Sequence, residues 1–178
     1  MRPCAMIAAA VCLNACGETR TSTIAYDPDT SDAWRFSVDT FQSEMDVRAK
    51  ISHRLMTFGE WRMPMTDSAV GSLLEFSCEG RKLSGFVSAS DYLDDDRGVR
   101  VRLDSQPAFT PDALVFNTTA EGYVSFMAPA QLLRRLGKAQ QFRVEFTQRG
   151  GLPVVARFNV RGLELHLPSL FQPCGLTP

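Results

Sequence analysis

The sequence predicts an α+β domain, mostly antiparallel β and sandwich-like, with one or two short helices. Three observations carry that expectation. Apolar and polar residues alternate with period two through most of the second half. Turn signals such as "EGRK" and "QRGG" separate the alternating runs. The best helical period belongs to "APAQLLRRLGKA".

Taken in order, the chain begins with an apolar stretch that reads as an export signal. Arg2 supplies a minimal charged start, and "AMIAAAVCLNA" is too short to cross a bilayer. "LNAC" resembles a bacterial lipobox, with an apolar residue three before Cys16 and a small one directly before it. The resemblance implies cleavage before Cys16 and a diacylglycerol on its thiol. With Gly17 rather than an aspartate following, it also implies an outer-membrane lipoprotein facing the periplasm. An ordinary secretory signal with another cut site is the alternative. Residues 1–15 are thus expected to be a signal peptide, 16–32 a flexible tether and 33–178 a single strand-rich domain. The tether expectation rests on "GETRTSTIAYDPDTSD", which is polar and has no apolar period.

"WRFSVDTF" (34–41) predicts a first strand, whereas "QSEMDVRAKISHRLMTF" (42–58) is ambiguous, with Met45, Arg48 and Ile51 at positions a helix could use. "LLEFSCEG" sets Leu74, Phe76 and Cys78 on one face, and with "LSGFVSAS" beyond "EGRK" it predicts a hairpin. "GVRVRLD" sets Val99, Val101 and Leu103 against Arg100, Arg102 and Asp104, a strand with one wet face. "LVFN" and "GYVSFM" follow, split by "TTAE". In the helical stretch Pro129 suits the first turn, and Leu132, Leu133 and Leu136 form the buried stripe. "QFRVEFT" and "PVVARFNV" predict a second hairpin, with Phe142, Val144 and Phe146 opposite Val154, Ala156 and Phe158. In "GLELHLPSLFQPC" the residues Leu163, Leu167, Leu170 and Phe171 have helical spacing, and Pro168 is expected to break the run or start a new turn.

The formal charge is −1 for the full chain; losing residues 1–15 removes one of nineteen basic residues and no acid, leaving −2. That near-balance argues against a nucleic-acid partner. Of five cysteines, Cys4 and Cys12 would leave with the signal and Cys16 would carry lipid. Cys78 and Cys174 remain, an even remainder that suggests a disulfide in an exported chain. Closing so long a loop would stabilise by about 4 to 5 kcal/mol. A metal site through these cysteines lacks partners, because His53 and His166 stand in no CxxC or HxxxH pattern. No metal and no cofactor are expected.

Nor is an enzyme expected. Neither histidine has an evident nucleophile beside it, and no G-x-S-x-G elbow surrounds a serine. No small-molecule substrate is evident. Asp91, Asp94, Asp95 and Asp96 could offer oxygens to calcium, but the spacing is not that of an EF-hand loop and reads as a solvated turn. Arg134, Arg135 and Lys138 read as a solvated helix face rather than a lipid-binding patch. "NTT" at 117 would be a glycosylation sequon only in eukaryotic secretion. In "GEWRMPMTDS", Trp61, Met63 and Met65 are the candidate partner-binding residues. Plugging one end of the core is an equal alternative for them.

Several of these pieces in order resemble the VasI family, which is associated with type VI secretion. The pieces are Trp61, Thr66 and Asp67; Cys78 on its strand; "RLD" at 102–104; the leucine helix from Leu132 to Leu136; and "FNVRGL" at 158–163 ahead of Cys174. The resemblance spans roughly residues 60–175, with Leu103 and Asn159 departing from its usual phenylalanine and aspartate. It implies an exported accessory protein without enzymatic activity. The leading expectation is therefore a non-enzymatic envelope lipoprotein, held to the membrane by its lipid anchor, that binds another envelope protein. A periplasmic inhibitor of a cell-wall hydrolase, akin to lipoprotein lysozyme inhibitors, is one alternative. An envelope lipoprotein encoded by a phage or mobile element is another.

Overall fold

The computed structural model describes residues 9–13, 19–25, 34–42, 50–62, 69–89, 92–119 and 121–177. In chain order the elements are β1 (Ala9–Leu13), β2 (Thr19–Ala25), β3 (Trp34–Gln42), β4 (Lys50–Arg62), β5 (Ala69–Glu79), β6 (Lys82–Ala89), β7 (Arg100–Leu103), β8 (Ala113–Asn117), β9 (Gly122–Phe126), α1 (Pro129–Leu136), β10 (Gln141–Thr147), β11 (Pro153–Asn159) and α2 (Leu163–Phe171). Among the described residues the domain is mostly antiparallel β with two helices. Both predicted hairpins form, and the second has the expected pairs Phe142 with Phe158, Val144 with Ala156 and Phe146 with Val154.

One hydrogen-bonded path runs β1-β2-β3-β4-β5-β6-β9-β8. A branch leaves β4 through β11 to β10 and β7. The fork is possible because β4 is thirteen residues long. Away from β5, its Lys50–Thr57 stretch pairs with β3, and Gly59 and Glu60 pair with β11. The sheet curls as a result. Phe126 on β9 and Phe142 on β10 meet with ring centroids 6.3 Å apart, although β11, β4, β5 and β6 lie between them in the sheet.

The core fills the hollow. Leu55, Leu74, Phe76, Val87, Val124, Val144 and Ala156 line it from the strands. Leu132, Leu133 and Leu136 enter from α1, and Leu163, Leu167, Leu170 and Phe171 from α2. Each such leucine or phenylalanine stabilises by about 1.5 to 3 kcal/mol on burial. Two glycines let aromatic rings lie across a neighbouring strand. Phe76 is paired with Gly85 and Phe158 with Gly59, and a Cβ at Gly85 would sit 2.5 Å from the Phe76 ring.

A short link joins the two ends of the curl. Leu93 forms an isolated bridge with Gln148, and the Asp94 N–H donates to the Thr147 carbonyl at 2.8 Å. The Asn117 carboxamide accepts from the Leu93 N–H at 2.8 Å and donates to the Leu93 carbonyl at 3.0 Å. The end of β8 is thereby tied to the end of β10.

Two expectations change. The ambiguous stretch is strand over Lys50–Arg62, with Met45 and Arg48 outside the described residues. Exposed Ile51 and Phe58 blur its alternation, which hides the strand in sequence. Helix α2 continues through Pro168, its sixth residue, because only one intrahelical bond is lost there while four large apolar side chains are buried. Strand pairing also includes residues 9–13 and 19–25: β1 pairs with β2, and β2 with β3. "TRTSTIA" is polar, but its threonines and isoleucine suit a strand. Cys16 lies outside the described residues; cleavage before it would remove β1, which precedes it in the chain, and leave β2 at the edge.

Candidate functional site

Alternation along β5 turns Cys78 into the core, and the tight turns after α2 bring Cys174 to it. The two form a disulfide with Cα atoms 5.8 Å apart, within the span that a bridge requires. Both cysteines are buried, and the bond fastens the end of α2 to the sheet.

Trp61 is 1 % exposed and packs in the core from β4. An indole so enclosed presents no surface to a partner, which leaves the core-plug reading for this residue. Met63, Met65 and Cys16 lie outside the described residues. His53 is half-buried on β4, its ring centroid 6.2 Å from that of Phe36, and His166 is half-buried on α2. Asp94, Asp95 and Asp96 gather their carboxylates within 4.8 Å of one another, and Arg97 pairs with Asp94 at 3.5 Å. Asp91 is outside the described residues.

The basic face of α1 is engaged with the chain itself. Arg134 donates from Nη2 to the Thr177 carbonyl at 2.7 Å and lies 5.4 Å from the Phe171 ring centre. Arg135 sits 3.8 Å above the ring of Phe109. Phe109 in turn bonds through its backbone to Val101, covering the outer edge of β7.

The other end of the sheet is different. Among the described residues β8 pairs with β9 alone, so its far side presents unpaired N–H and C=O groups. Leu114 is 58 % exposed and Phe116 46 %. Phe116 stacks on Tyr123 at 5.1 Å, and Phe86 meets Tyr123 edge-on at 5.7 Å. The Tyr123 hydroxyl donates to Glu121 Oε2 at 2.9 Å. That bond, with burial and the nearby carboxylate charge adding to it, raises the phenol pKa above its ordinary 10.0. The exposed Met127 follows the strand pair. Together these make an open strand edge beside an aromatic, apolar face.

Sequence reasoning missed this surface. In "ALVFN" both faces are apolar, so alternation does not tell which one is wet. Comparison of the chain with protein-family models, curated proteins and solved structures gives no match.

Proposed function

We propose that this is an exported, non-enzymatic envelope lipoprotein, anchored through Cys16, whose domain binds another protein by adding a strand at β8. The open edge carries the reading. A partner strand would take main-chain hydrogen bonds from β8, while Leu114, Phe116 and Tyr123 would provide apolar contact. The Cys78–Cys174 bond supports the address, since structural disulfides persist in oxidising compartments. In this reading the curled sheet acts as a sandwich-like body with β8 at its rim, and the likeness to the VasI family makes a type VI secretion accessory role the first to test.

A photo-crosslinking residue at position 114 in intact cells, compared with one at the exposed Leu152 in the β10–β11 turn, tests the edge. A defined adduct from position 114 alone is expected. Equal labelling from both positions, or none from 114, would refute strand addition. Lysozyme clearing assays should be unaffected by micromolar protein; inhibition would favour the hydrolase inhibitor instead.

A further inference from the structure

We propose that the outer face of β7, β10 and β11 is a binding site for a ligand carrying two or more adjacent phosphoryl groups. Arg143 on β10 stands directly opposite Arg102 on β7 and Arg157 on β11. Directly opposed residues lie about 5 Å apart, and like charges so placed repel. A row of three guanidinium groups is a costly arrangement unless an anion spans it.

The chain does little to neutralise the row. Arg102 and Arg157 make no ion pair or hydrogen bond with their side chains among the described residues. Glu145 faces Arg100 at 3.5 Å. Asp104 Oδ1 already accepts the backbone N–H groups of Gln140 and Gln141, at 2.9 and 2.8 Å. Glu60, opposite Arg157, is the remaining carboxylate at the far end of the row.

Arg143 holds the centre. Its Nη2 donates to Gln141 Oε1 at 3.1 Å, while its Nε is buried with no hydrogen-bond partner. That N–H is left without an acceptor at the centre of the row. Three adjoining hollows of about 640, 350 and 210 Å³ are all lined by Arg143. Among the described residues, six cations stand around them, Arg100, Arg102, Arg143, Arg157, Arg161 and Lys138, against three carboxylates. A surplus of three positive charges thus gathers on a chain whose total is −1.

The geometry favours phosphoryl over carboxylate. A carboxylate has two oxygens, which one arginine fork engages side by side. A phosphoryl dianion presents three oxygens to planar guanidinium forks, and a row of three opposed residues extends about 10 Å, further than one such group reaches. The ligand can be soluble, as a pyrophosphate ester is, or a membrane headgroup.

The test uses the full chain bearing Cys16→Ser, so that no acyl chain contributes. Calorimetric titration with inorganic pyrophosphate is run beside flotation with vesicles carrying a polyprenyl pyrophosphate. Saturable binding is expected in at least one arm. It should weaken about tenfold or more in Arg143→Gln and in Arg102→Gln/Arg157→Gln, each with unchanged circular dichroism, and hold in Lys82→Gln. Binding to pyrophosphate alone assigns a soluble ligand, and binding to vesicles alone a headgroup. Failure in both arms, equal binding of citrate, or equal loss in Lys82→Gln overturns the proposal.

Discussion

At Asn117 a single carboxamide replaces a missing strand pair, meeting both backbone groups of Leu93. Asn117→Ala should therefore lower stability by about 1 to 2 kcal/mol in urea unfolding, since two hydrogen bonds are lost at once. Asp104 is a second such residue. It has a positive φ of 47° and ties the start of β10 to the end of β7. Asp104→Ala should cost about 1 to 3 kcal/mol and Asp104→Asn less, because asparagine keeps an acceptor and tolerates left-handed backbone. Equal losses in the two variants would count against this role. At this scale the sequence was legible for Cys78, whose inward face follows from local alternation. It was not legible for Trp61, because nothing local says which end of a long strand the core reaches.

Among the elements, the two hairpins and α1 were readable because their partners lie a few residues away. Strand β4 was not, since its fork depends on partners as distant as β11. The arginine row has the same origin: Arg102, Arg143 and Arg157 each appear on a wet strand face in sequence, but only the register across three strands aligns them. Two outcomes belong here. Phe116→Lys should abolish crosslinking from position 114, at a stability cost of about 0.5 to 1.5 kcal/mol from the lost stack on Tyr123. Gly85→Ala should destabilise by about 1 to 3 kcal/mol, because the Phe76 ring must move within a filled core.

Across the whole molecule, net charge averages over opposite patches. A total of −1 conceals one face with a surplus of cations and a turn with three aspartates. The curl has a simple mechanical reading: the hollow is filled from two helices, Leu93 joins its ends, and Cys78–Cys174 pins α2 in place. Replacing both cysteines by alanine should lower stability by about 2 to 5 kcal/mol, measured against the oxidised chain. The most direct measurement of the central claim is the mass of the cellular protein and of its peptides, kept non-reduced, after separation of membranes from soluble contents. Export predicts a membrane-bound chain starting at an acylated Cys16, with the peptides of Cys78 and Cys174 linked. A soluble intracellular chain that keeps Met1 and carries both thiols reduced would contradict it.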